Sequence, residues 1–159
     1  NPYMPGTLEN GIIKGCRVLT HSQLNAPLST QKPLSVIIFI PGLGGERQKY
    51  TLLCEELASH GYVVLSFDQP YVSNFVRFLN GDKIVLTLKD AWKIPRDRDY
   101  RYQYYDKAMA ATIADITYFL DNFKSFNETY FKSFLNEESI VLMGHSFGGN
   151  VAHTLGFIE

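Results

Sequence analysis

Three short stretches of the chain are apolar at nearly every position: Ser35-Val36-Ile37-Ile38-Phe39-Ile40, Tyr62-Val63-Val64-Leu65-Ser66-Phe67 and Ser139-Ile140-Val141-Leu142-Met143. Strands that lack polar alternation are covered on both faces, which is the condition of a parallel sheet packed between helices. Between the first two stretches, Leu52, Leu53 and Leu57 recur at helical spacing over 48–59, and Gly61 follows where a helix C-cap is expected. Strand, helix and strand joined by short connections predict a βαβ unit with a right-handed crossover.

The rest of the pattern divides into weaker elements. Residues 1–35 are punctuated by Pro2, Pro5, Gly6, Gly11, Gly15, Pro27 and Pro33, so they read as irregular with at most one short strand. Residues 75–88 run apolar around Asn80-Gly81, which predicts a β-hairpin. The stretch 92–101 is polar and irregular. From 102 to 123 a long helix fits, with Tyr105, Met109, Ile113, Ile116, Leu120 and Phe123 forming its core stripe. Residues 124–138 read as a polar linker or short helix, and a final helix is expected from Asn150. The predicted class is α/β: a mostly parallel sheet with helices on both faces.

Composition adds exclusions more than assignments. The chain of 159 residues is 45% hydrophobic and 19% charged, the profile of an ordinary globular domain. A net charge of −1 gives no basic surface for nucleic acid, and Arg96-Asp97-Arg98-Asp99 neutralises itself. No apolar run approaches the length of a membrane-spanning helix, and the compartment, secreted or cytoplasmic, stays open. Cys16 and Cys54 match no metal-site spacing; Cys54, within Leu52-Leu53-Cys54, reads as a small core residue.

The chemistry is concentrated at Gly144-His145-Ser146-Phe147-Gly148, a G-x-S-x-G pattern placed directly after one predicted strand and before a helix. A serine exposed at the top of a sheet requires a sharp strand-to-helix reversal. Side chains two residues either side of it would collide with neighbouring backbone, and glycine removes the collision. Ser146 is therefore the candidate nucleophile; the alternative is a glycine-rich turn with an incidental serine. Pro41-Gly42-Leu43-Gly44-Gly45 follows an earlier strand, where small residues let backbone N–H groups approach a developing oxyanion.

These motifs resemble the α/β hydrolases of the platelet-activating-factor acetylhydrolase type, the group VII phospholipases A2 and their bacterial relatives. The likeness rests on Phe39-Ile40-Pro41-Gly42-Leu43-Gly44, Leu57-Ala58-Ser59-His60-Gly61-Tyr62-Val63-Val64, the approach to the long helix at 96–101, and Gly144-His145-Ser146-Phe147-Gly148-Gly149. It implies an α/β-hydrolase fold, Ser146 as nucleophile, and the backbone amides of Leu43 and Phe147 as the oxyanion hole. It also implies small or phospholipid-type esters as substrates, with no metal or cofactor. Pro41 departs from the pattern, since many relatives carry histidine there.

A complete triad is not legible. In this fold the acid and histidine follow the serine, and after Ser146 only His153 and Glu159 are available. His153 lies along the same helix, carried about 10 Å away at 1.5 Å per residue, and reads as a helix-surface residue. His145 is expected to pack under the sheet, His60 to end a helix, and His21 to lie in the irregular N-terminal segment. The expectation is a partial domain, 1–159, with 36–159 as its βαβ core through the elbow. A second chain or a C-terminal segment would complete it.

Three functions compete. The first is a serine esterase or lipase acting through an acyl-enzyme, with the apolar residues of the hairpin offering an acyl wall or a lipid-surface contact. The second is an inactive α/β-hydrolase module that binds. The third is a serine amidase or acyltransferase using the same elbow.

Overall fold

The computed structural model describes residues 20–28, 32–86 and 97–157. Cys16 and Glu159 lie outside them, as do most of the irregular N-terminal stretch and residues 92–96. The chain order is strand β1 (Leu34–Ile40), a one-turn 3-10 helix (Arg47–Tyr50), helix α1 (Thr51–Ser59), β2 (Val63–Ser66), β3 (Phe75–Arg77) and β4 (Lys83–Val85). Helices α2 (Arg98–Asp121) and α3 (Phe123–Phe131), strand β5 (Leu135–Gly144) and helix α4 (Phe147–Leu155) complete it.

The sheet runs β2-β1-β5 and both pairings are parallel. β1 is central because its sequence permits nothing else. Val36, Ile38, Phe39 and Ile40 are at most 1% exposed, so both faces and both edges are covered. Val36 pairs with Val63 on one side and Ile140 on the other, and Ile40 pairs with Gly144. That last pairing places the turn after β5 beside the turn after β1.

The helix α1 C-terminus and the hairpin follow local chemistry. Gly61 adopts φ +90° directly after α1, the conformation its missing Cβ allows. Gly81, at φ +93°, closes the β3–β4 hairpin, where Phe78 N–H donates to the Asp82 carbonyl. The hairpin predicted at Asn80-Gly81 is present, with Phe75 opposite Val85 and Arg77 opposite Lys83.

Several boundaries differ from expectation. Helix α2 begins at Arg98, four residues before 102, because the Asp97 side chain accepts from the Tyr100 N–H at 2.9 Å and caps it. Its fully buried line is Ala108, Thr112 and Ile116, flanked by the expected Tyr105, Met109, Ile113 and Leu120, while Phe123 belongs to α3. Helix α3 then occupies 123–131, and β5 starts at Leu135 rather than Ser139.

The early start of β5 depends on Asn127, which is 1% exposed. Its side chain accepts from Leu135 N–H at 3.0 Å and donates to the Leu135 carbonyl at 3.0 Å and to Glu137 Oε1 at 2.9 Å. Lys132 and Ser133, both left-handed, make the turn that allows this. β5 is less buried than predicted, with Val141 half exposed, because among the described residues it has a strand on one side alone. Helix α4 begins at Phe147, three residues before Asn150.

Candidate active site

Ser146 sits between β5 and α4 at φ 54°, ψ −116°. An L-residue holds this conformation only where the surroundings impose it. The imposition is steric. A Cβ on Gly144 would overlap the Gly148 carbonyl group, and a Cβ on Gly148 would overlap the carbonyls of Ile40 and Pro41. The two glycines let strand, turn and helix close on one another, and Ser146 is left outward and exposed at their apex. His145 N–H donates to the Ile40 carbonyl at 3.1 Å and Gly148 N–H to the His145 carbonyl at 2.9 Å, which fixes the turn against β1.

The loop after β1 reaches this turn from the other side. A Cβ on Gly42 would stand 3.0 Å from His145 Nδ1, so a side chain there would crowd the imidazole where the two loops meet. The loop is held at almost every polar atom. Gly44 N–H donates to the Val72 carbonyl at 2.9 Å and Gly45 N–H to the Gly42 carbonyl at 2.8 Å. The Gly44 carbonyl accepts from Lys49 Nζ at 3.0 Å and from Asn74 Nδ2 at 2.6 Å.

Two N–H groups stand apart from this bonding. Among the described residues, neither the Leu43 nor the Phe147 amide has a hydrogen-bond acceptor, although the amides of Gly42, Gly44, Gly45 and Gly148 all have one. Phe147 is 2% exposed, and a buried N–H without an acceptor is costly. Phe147 is also the first residue of α4, where the helix dipole favours negative charge. The two donors without acceptors lie on the two loops that meet beside Ser146.

The histidines do not complete it. The Ser146 side chain makes no hydrogen bond to a described residue. His145 does not pack under the sheet as expected: it is exposed, with Nδ1 3.1 Å from the Tyr50 hydroxyl and its ring 5.8 Å from the Tyr50 ring. The imidazole faces outward to the phenol. His153 lies exposed on α4 with its ring 4.7 Å from that of Phe157. His60 caps α1, with Nδ1 2.9 Å from the Glu56 carbonyl. His21 is exposed beside Glu55.

Cys54 is half-buried and not in the core; it lines a cavity of about 420 Å³ with Glu55, Arg47 and Ser66, on the face of α1 turned to β2. Burial pushes its thiol pKa up, away from reactive thiolate. Among the described residues no group of His, Cys, Asp and Glu could hold a metal ion, and no helix is long and apolar enough to cross a membrane. The sequence did not reveal Tyr50 or Asn74. Neither belongs to a motif, and the Asn74 side chain reaches Gly44 across thirty residues of chain.

Comparison with known proteins gives three likenesses. The model of the platelet-activating factor acetylhydrolase, isoform II, family matches residues 12–96. A probable 1-alkyl-2-acetylglycerophosphocholine esterase from Arthroderma benhamiae is 27% identical over 120 residues, which cover 74% of this chain and 26% of the relative. A ferulic acid esterase from Streptomyces cinnamoneus superposes with a TM-score of 0.61 at 24% identity, over 82% of this chain and 34% of that one. The chain thus spans about a quarter of the first protein and a third of the second. The architecture is the α/β-hydrolase fold.

Proposed function

Because the chain belongs to the platelet-activating factor acetylhydrolase, isoform II, family, we propose that it carries the nucleophile-bearing part of a serine carboxylester hydrolase. The observation that supports this most directly is the backbone of Ser146 at φ 54°, ψ −116° between two glycines that tolerate no side chain. Strain of this kind has no structural purpose at an exposed turn and persists where a serine oxygen must be presented.

In this reading Ser146 Oγ attacks the ester carbonyl carbon and passes its proton to a histidine that is not one of the four in this sequence. The carbonyl π electrons move to oxygen, and the amides of Leu43 and Phe147 receive that oxyanion. Collapse of the tetrahedral intermediate breaks the bond to the leaving alkoxide, which the histidine protonates. Water, activated by the same histidine, then releases the acyl group from Ser146. The chemistry calls for neither metal nor cofactor.

The relative named as a 1-alkyl-2-acetylglycerophosphocholine esterase supports, as substrate class, a short acyl ester on a glycerophospholipid. The β3–β4 hairpin suits such a substrate. Leu79 is fully exposed at its tip, Phe75, Phe78 and Val85 are each at least 40% exposed, and Arg77 faces Lys83 across the ladder. We read residues 1–159 as part of one α/β-hydrolase domain, with 36–159 its core through the elbow.

A fluorophosphonate probe followed by intact-mass measurement tests the reading. One adduct that disappears in Ser146→Ala is expected, together with turnover of an acetyl ester. Absence of an adduct and of turnover in the full chain would favour a binding module. An adduct with amide or transfer products and no ester hydrolysis would favour an amidase or acyltransferase.

A further inference from the structure

The Tyr50 hydroxyl bridges the two loops that carry the candidate oxyanion donors. It stands 3.1 Å from the Gly42 amide nitrogen and 3.1 Å from His145 Nδ1. Gly42 immediately precedes Leu43, and His145 immediately precedes Ser146 and Phe147. We infer that Tyr50 is a positioning residue for the oxyanion hole, setting the separation of the Leu43 and Phe147 amides through one phenolic oxygen. The inference rests on the esterase reading for its consequence in catalysis, but its geometry stands apart from that reading.

The bond directions follow from the groups. A backbone N–H can only donate, so the phenol oxygen accepts from Gly42. The phenol proton is then available to His145 Nδ1, which accepts it when the imidazole is neutral and carries its proton on Nε2. Nothing else in the loop replaces Tyr50. Gly44 and Gly45 are held through Val72, Lys49, Asn74 and Gly42, none of which belongs to the elbow. The hydroxyl is the single side-chain atom bonded to both loops among the described residues.

The surroundings hold the phenol in place. Its ring packs on Phe39, 1% exposed in the central strand, with centroids 4.8 Å apart. A Cβ on Gly45 would come within 3.1 Å of the Tyr50 oxygen, and one on Gly42 within 3.4 Å. These glycines therefore make room for the phenol. Tyr50 ends the one-turn 3-10 helix, whose tight geometry aims its ring back at β1.

The consequence is differential. A bridge that sets donor spacing matters most when charge has developed on the oxygen, so its loss should affect the transition state more than substrate binding. Loss of a whole oxyanion donor costs about 10²–10³ in kcat, and loosening one is expected to cost roughly tenfold.

The test uses Tyr50→Phe, which keeps the ring on Phe39, in the full chain. Expected are a kcat about tenfold lower with KM nearly unchanged, and a trifluoromethyl ketone that binds more weakly by a similar factor. His145→Asn, whose amide oxygen can stand in for Nδ1, should retain more activity than His145→Leu. A readout independent of turnover is hydrogen exchange at the Gly42 amide, expected to accelerate about tenfold or more in Tyr50→Phe. Unchanged exchange would overturn the bridge, and unchanged kcat with faster exchange would overturn its catalytic role. If the unmodified protein hydrolyses no ester, the esterase reading fails, while Gly42 exchange still decides whether Tyr50 holds the loop.

Discussion

Gly148 faces the carbonyl oxygen of Ile40 where α4 meets the end of β1, and the gap between them is too small for a methyl group. The opposing atoms are backbone in the most buried strand, so neither can yield. Gly148→Ala is therefore expected to cost about 3 kcal/mol or more, or to prevent folding. At Gly149 an added Cβ would meet nothing nearer than the Gly144 carbonyl at 3.3 Å. Gly149→Ala should stay within about 1 kcal/mol of the unmodified chain, since alanine is the better helix former. Urea unfolding of both variants measures the contrast.

Ser146 supplies a second stability test, separate from activity. At its φ of 54° a Cβ is strained and glycine is not. Ser146→Gly and Ser146→Ala both remove the hydroxyl, but Ser146→Gly should be more stable than Ser146→Ala by about 1–2 kcal/mol. Equal unfolding midpoints would show that the surroundings do not strain the turn.

Asn127→Ala deletes the three hydrogen bonds that join α3 to the start of β5. It leaves the Leu135 N–H and carbonyl without their partner at a residue 3% exposed. The expected loss is about 2–4 kcal/mol. Hydrogen exchange should accelerate first over 135–138, ahead of the part of β5 that pairs with Val36–Ile40.

The hairpin tip predicts a surface behaviour. Like charges directly opposite on a ladder repel, so Arg77 and Lys83 suit a phosphate-bearing surface, with Leu79 projecting beyond them. Leu79→Asp should weaken sedimentation with phosphatidylcholine vesicles containing phosphatidylglycerol about tenfold, because a buried leucine is worth roughly 1.5–3 kcal/mol. Hydrolysis of a water-soluble acetyl ester should be unchanged. Equal sedimentation of the two proteins would show that the hairpin tip does not contact lipid.

Glu55 gives a pH-dependent attachment. Its carboxylate accepts from the Ser22 hydroxyl and from the Ser22 and His21 amides, tying that segment to α1. The Ser22 hydroxyl, first, and then the two amides hold its pKa below the usual carboxylate value. A folded pKa below the unfolded one means the stabilisation is complete above the ordinary glutamate range and is lost as pH falls through the lowered value. Exchange at the Ser22 amide, corrected for intrinsic rate, should therefore rise on acidification. In Glu55→Gln that extra acid-induced rise should vanish.

The sequence was most informative where one residue type has one physical use. Val36 through Ile40 could only be a strand buried on both faces, and Gly144-x-Ser146-x-Gly148 encodes a collision that the structure displays atom by atom. It was least informative where structure depends on partners distant in the chain. Leu135-Asn136-Glu137-Glu138 is too polar to read as strand, and it pairs because Asn127 satisfies it. The cap at Asp97 was hidden inside an alternating charge run. Tyr50 carries no signal at all, since its role appears only when residues 42 and 145 are brought together. The outward position of His145 is illegible for the same reason: its partner lies 95 residues away.

The position of β1 also orders events during synthesis. Its partner β5 is so distant in sequence that Ser35 and Ser139, whose hydroxyls lie 2.8 Å apart, are separated by 104 residues. A ribosome adding about 5–20 residues per second leaves β1 without that neighbour for roughly 5–20 s. During that interval the most apolar segment of the chain has one edge open, able to pair with any passing strand. Ser146 emerges only two residues after the strand that closes the gap. The strained turn at Ser146 is thus made just after β5, onto a sheet whose central strand has only then gained its second neighbour.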